Sequence, residues 1–170
     1  MNDYRVLVKE SIMASQQDSM RDFAFQTGSW TVRHRQLRER LAGSTQWIEF
    51  PGTCRAWELL GGGGNVDDHW IGKPECPYAA ATVRRLEPDG KWAIWWIDSR
   101  TRGLDSPMYG AFDQGIGTFY GKDNLRGRPI DVRFIWTISN ANACRWEQAF
   151  SPDGGKTWEV NWRMDFVRAA

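Results

Sequence analysis

The sequence predicts an all-β protein: an up-and-down antiparallel barrel of about nine or ten strands, with a short N-terminal helix or arm. Three observations predict it. Long stretches alternate apolar and polar residues with a period of two, as half-buried strands do. Their connections are short and made of turn residues. No long helical pattern separates them, which favours antiparallel pairing between neighbours. A single sheet of this many strands must curl or close, and closure removes its exposed edges. A two-sheet sandwich is the alternative.

Residues 1–21 read as an N-terminal arm or helix and residues 22–170 as the barrel domain. Met20 to Phe25 suits a short helical turn that docks Phe23 and Phe25 on the domain. Gly28-Ser29-Trp30 opens the first strand, to about Arg40. Trp30, Val32, His34 and Gln36 share one face of it, and Thr31, Arg33 and Arg35 the other. Short strands are expected over 46–50, with Trp47 and Glu49 on one face, and over 53–60. The glycine run Gly61–Gly64 has no following Lys-Ser/Thr, so it reads as a bulge or loop, not a phosphate cradle.

Strands over 66–71 and 78–86 follow, then the turn Glu87-Pro88-Asp89-Gly90 and a return strand. That strand carries Trp92, Ile94 and Trp96 on one side and Trp95 and Ile97 on the other. Being apolar on both faces, it needs outer cover, which a homodimer is expected to supply, with the N-terminal arm as the alternative. Further strands fall at 108–112, 116–121 and 130–138. The chain ends in the hairpin from Cys144 to Arg168, where Trp158, Val160, Trp162, Met164 and Phe166 alternate with Glu159, Asn161, Arg163 and Asp165.

Composition narrows the function classes. The chain has 170 residues and a net charge of +1. That charge offers no general field for nucleic acid or an anionic membrane, so neither is an expected partner. Three cysteines without close spacing are neither a disulfide framework nor a zinc pattern. With no apolar run of membrane-spanning length and no leader pattern, a cytoplasmic, reduced protein is expected. Eleven Trp and 8 Phe mean either an aromatic core or a cavity lined with rings.

Gly28-Ser29-Trp30, preceded by a Phe-containing turn, resembles the opening motif of lipocalins and the wider calycin group. The resemblance implies that Trp30 plugs one end of the barrel and that an Arg of the last strand, Arg163 or Arg168, packs across it. Trp47-Ile48-Glu49-Phe50, Arg128-Pro129-Ile130, Arg145-Trp146-Glu147-Gln148-Ala149-Phe150 and Asp153-Gly154-Gly155-Lys156-Thr157-Trp158 are similar to a family of small bacterial lipocalin-like proteins. That likeness covers roughly residues 22 to 168 and brings no established reaction or ligand. Ser151 to Trp158 also resembles the Asp-box hairpin of sialidase propellers, a structural turn. The haem-binding nitrobindins are calycin barrels with a His near the C-terminus. Here no His follows His69, so that role is not carried over.

The candidate chemistry is sparse. His34, on the face of Trp30, is a general-base candidate or a buried His bonded to a neighbour. Glu49 is its acid partner if it projects inward beside Trp47, or a solvent-facing carboxylate paired with a strand Arg. Trp30, Trp47, Trp96, Trp136, Trp146, Gln148, Trp158 and Trp162 are the candidate lumen lining. Arg133, Arg145, Glu147, Glu159, Arg163 and Asp165 read as a ladder of charge pairs on the outside. Asp67, Asp68 and His69 are consecutive and diverge, so no metal and no cofactor are assigned. The expected function is binding of a small apolar or aromatic molecule in the lumen. An acid/base enzyme using the same cavity and a solid-core association protein are the alternatives.

Overall fold

The computed structural model describes residues 19–170. Ten antiparallel strands close into one barrel. They are β1 (Gly28–Leu37), β2 (Trp47–Leu59), β3 (Gly64–Ile71), β4 (Tyr78–Leu86), β5 (Trp92–Asp98), β6 (Met108–Asp113), β7 (Ile116–Leu125), β8 (Arg128–Asn140), β9 (Ala143–Ser151) and β10 (Glu159–Arg168). Each pairs with its sequence neighbours, and β1 pairs β10 to close the ring, with Val32 opposite Phe166 and Gln36 opposite Trp162. The up-and-down barrel expected from the alternation is therefore the fold. No helix among the described residues is long and apolar enough to cross a membrane.

The two strands expected over 46–50 and 53–60 are one strand. Pro51 faces solvent and lies just beyond the end of the β2–β3 ladder, which begins at Gly52 opposite Ile71, so its missing N–H removes no interior rung; Gly52 faces the lumen. A Cβ at Gly52 would collide with the His34 imidazole, so glycine is what lets β1 and β2 carry a ring between them.

The chain enters the barrel through a 3₁₀ turn at Ala24–Gln26. This turn drives Phe23 into one end, where its ring meets Trp92 at 4.9 Å and Phe112 at 5.1 Å, both edge-on. Trp30 closes the same end, its indole donating to the Gln26 carbonyl at 2.7 Å. Arg168 lies over the Trp30 ring at 4.2 Å. Its guanidinium donates to the carbonyls of Phe25, Thr27 and Ala141. Gly28, at φ +116°, leaves room for that arginine: a Cβ there would sit 2.6 Å from Nη1. Of the two arginines expected to cross Trp30, Arg168 does so. Arg163 points outward to Glu147 at 2.5 Å.

Residues 1–18, most of the expected N-terminal arm, lie outside the described residues. The final hairpin turns as its residue types direct. Asp153 accepts from the backbone of Lys156 and Thr157 and from the Ser151 and Thr157 hydroxyls. These bonds, first that of the Thr157 hydroxyl, bring its pKa down to about 2.

Candidate functional site

The lumen is filled at one end and open at the other. Towards the open end lies a cavity of about 610 Å³, within the roughly 300–1,000 Å³ usual for small-molecule sites. Its inner wall is a run of rings. Trp162 meets Trp96 at 5.9 Å and 78°, and Trp146 at 5.5 Å and 86°. Trp146 meets Phe134 at 4.8 Å. Ile94, Met108, Val132 and Phe150 complete the apolar lining. These residues come from β5, β6, β8, β9 and β10, all from inward-facing positions of the alternation.

Polar groups are concentrated at the mouth. Asp98 binds Arg100 at 2.7 Å and accepts from the Trp96 indole at 3.2 Å. Burial opposes ionisation of Asp98, but the Arg100 hydrogen bonds outweigh it and hold the carboxyl below its ordinary value. Arg100 also covers the Tyr78 ring at 3.6 Å. Arg40 reaches over Phe150 at 5.6 Å, and partial burial lowers its pKa. Gln148 lines the cavity and donates to Asn161 Oδ1 at 2.8 Å.

The sequence-derived candidates divide accordingly. Trp96, Trp146, Gln148 and Trp162 line the large cavity. Trp136 lies deeper, packed on Phe166 at 5.3 Å, and borders only a small space below. Trp30 is the plug of the closed end and does not reach the cavity.

Trp47 and Trp158 are outside the barrel, against expectation, and Glu49 is there too, as the solvent-facing carboxylate paired with a strand Arg rather than the inward acid. Register explains Trp47 and Glu49. His34 faces inward opposite Phe50, so Glu49 must face outward opposite Arg35, with an ion pair of 3.0 Å. Trp47 shares that outer face and is sandwiched near Arg35 and Arg163, at 5.5 and 5.4 Å. Trp158 is turned out by a bulge between Val160 and Trp162. The extra residue, Asn161, is fully buried and holds Gln148, while Trp158 lies under Arg133 at 4.6 Å on the outer wall.

His34 is fully buried but does not line the cavity. Its ring stacks on Phe50 at 4.9 Å and 9°, and Nδ1 accepts from the Trp162 indole at 3.2 Å. Burial, then the neighbouring His69, brings its pKa down to about 3, so the ring is neutral near pH 7. It positions a cavity wall from behind. With Glu49 outside, the expected acid/base pair is not assembled.

A buried polar cluster below the cavity was not anticipated. Asp67 and His69, two residues apart on β3, share the inner face, and only Asp68 diverges. Asp67 Oδ1 accepts from Thr82 N at 2.9 Å and His69 Nε2 at 3.0 Å. Its Oδ2 accepts from Arg84 Nη2 at 2.6 Å and Gln26 Nε2 at 3.1 Å. Burial penalises this carboxylate, but Arg84 and His69 overcome the penalty and hold its pKa far below the ordinary range.

Cys54, Asp67 and His69 bring ligand atoms within 4.8 Å of one another. A divalent ion there would have to displace the Arg84 guanidinium from a carboxylate whose oxygens already accept four hydrogen bonds, so the donor set fits an ion-pair network, not a metal. Its members were illegible in sequence because they meet across strands. The one local signal was the alternation Tyr78, Ala80, Thr82, Arg84, which puts Arg84 inside.

No family model matches the chain, and no curated protein sequence does. Solved structures do match. Rv2717c from M. tuberculosis superposes with a TM-score of 0.60 at 8% identity, over 89% of this chain and 98% of that one. The S-type phycobiliprotein lyase CPES from Guillardia theta does so with a TM-score of 0.55 at 10% identity, over 91% of this chain and 97% of that one. The barrel is calycin-like. At these identities the likeness extends to the fold alone.

Proposed function

We propose that this calycin-like barrel binds a small, mostly aromatic or apolar molecule in the open-end cavity. One observation carries the reading: about 610 Å³ of space walled by Trp96, Trp146, Trp162 and Phe134 in a molecule whose other end is packed. Trp96 and Phe134 are only partly buried against this space, and a ligand would cover their remaining apolar surface, at roughly 25 cal/mol per Å². That one fold neighbour is a phycobiliprotein lyase is in keeping with this reading.

Titration with naphthalene should change Trp emission saturably, and Val132→Phe, which intrudes on the cavity wall, should abolish the change. An emission unmoved across a library of two-ring aromatics would overturn the reading.

A homodimer belongs to the same proposal. Trp57, Val66, Val83 and Trp95 sit opposite one another in register across β2, β3, β4 and β5 on the outer surface. A second copy would cover this apolar row. Light scattering at micromolar concentration should return twice the chain mass, and a monomeric mass would remove the dimer.

A further inference from the structure

Beneath the large cavity lies a second space of about 20 Å³, bordered by His69, Thr82, Arg84, Trp136, Met164 and Phe166. The two spaces share Ile94, Trp96, Phe134 and Trp146 as walls. A volume of this size holds one water-sized group and nothing larger.

Two polar atoms among its bordering residues are buried without a protein partner: Arg84 Nε and His69 Nδ1. Both side chains are 2% exposed. Every other arm of these side chains is occupied. Arg84 gives Nη1 to Asn65 at 2.6 Å and Nη2 to Asp67 at 2.6 Å. His69 turns Nε2 to Asp67 at 3.0 Å. Because ionised Asp67 can only accept, Nε2 carries the hydrogen, and in the neutral ring Nδ1 is left with a lone pair. Arg84 Nε–H can only donate. One donor and one acceptor are thus left over on two residues that border a space admitting a single heavy atom.

We propose that this space is a hydroxyl subsite, so that the ligand of the lumen is an aromatic alcohol, a phenol or naphthol, inserted hydroxyl-first. This rests on the lumen reading above. The hydroxyl oxygen accepts from Arg84 Nε–H and its hydrogen goes to His69 Nδ1. A hydroxyl is the smallest substituent that does both. A carboxylate is too large for the space and would lie against Asp67. A methyl group fits but leaves both buried polar atoms unmatched, which is where specificity for a hydroxyl comes from.

The test compares 2-naphthol with 2-methylnaphthalene, equal in shape, and with 2-naphthoate, by Trp emission. Two exchanged hydrogen bonds should favour 2-naphthol by about 10-fold or more. The preference should fall below about 2-fold in His69→Phe, which retains three of the four donors to Asp67. Should that variant lose its fold in circular dichroism, the wild-type protein still decides. The chain has only 2 His, and the ¹⁵N resonance of His69 Nδ1 should move on adding 2-naphthol and stay in place with 2-methylnaphthalene.

Equal affinity of the two, an unmoved Nδ1 resonance, a preference that survives in His69→Phe, or stronger binding of 2-naphthoate would each overturn the subsite while leaving the lumen reading intact. Binding of none of the three would overturn both.

Discussion

At the closed end of the barrel Phe23, Trp30, Trp92, Phe119 and Phe166 are each 2% exposed or less. At the open end Trp96 and Phe134 remain partly exposed around a cavity. Both ends draw on the same alternation of the same strands. The closed end has an additional contributor: the 3₁₀ turn adds Phe23 and Gln26, and Arg168 ties that turn to the last strand. The difference teaches where stability and accommodation reside. A barrel of this size has more interior than its inward side chains fill, and a segment folded in from outside completes only one end.

The comparison can be broken from the closed end first. Asp67→Leu should have the largest effect, about 3–5 kcal/mol, because it leaves the Arg84 guanidinium buried without its carboxylate. The shift of the urea midpoint measures it. Trp30→Ala should cost about 3–4 kcal/mol through the cavity it leaves beneath Arg168. If either variant unfolds at the wild-type midpoint, the closed end is not the stabilising half.

The open end should respond in the opposite sense. Trp96→Ala should cost only about 1–2 kcal/mol, since the ring already faces a cavity, but should weaken naphthalene binding by about 10-fold. A stability loss as large as that of Trp30→Ala, with binding intact, would erase the distinction between the ends.

His34 lies between the two halves, and pH reaches it. In the unfolded chain its imidazole takes a proton as pH falls through 6.5, whereas in the fold it refuses one until about 3. Its contribution is therefore complete above pH 6.5 and is lost as pH falls towards 3, at up to about 1.4 kcal/mol per pH unit. His34→Gln, which keeps an acceptor for the Trp162 indole, should flatten that slope between pH 6.5 and 4 in urea titrations. The smallest effect belongs outside: Glu49→Gln breaks an exposed pair with Arg35 and should change stability by less than about 0.5 kcal/mol and binding not at all.

Most of the strands and the inward phase of β1 followed from local sequence, and the plug at Trp30 from the resemblance of Gly28-Ser29-Trp30 to the lipocalin opening. Side chains of a strand alternate whatever the strand pairs with, so Trp30, Val32, His34 and Gln36 share a face before any partner is known. The outer ladder was legible on the same ground, and Arg145 does meet Asp165 at 2.6 Å. Phase was lost where the alternation is interrupted. The bulge at Asn161 moved Trp158 outside while Trp162 stayed within, and nothing in Glu159-Val160-Asn161-Trp162 announces an extra residue.

On β2 the Pro51-Gly52 pair reads as a break, yet the strand continues because Gly52 yields its side-chain volume to His34 on the neighbouring strand. Which rings line a cavity and which fill a plug was beyond local sequence altogether. Asn65, Asp67, His69, Arg84 and Gln26 come from two strands and a turn. Their pairing is set by barrel register, and a register is a property of two strands at once, not of either one's residues.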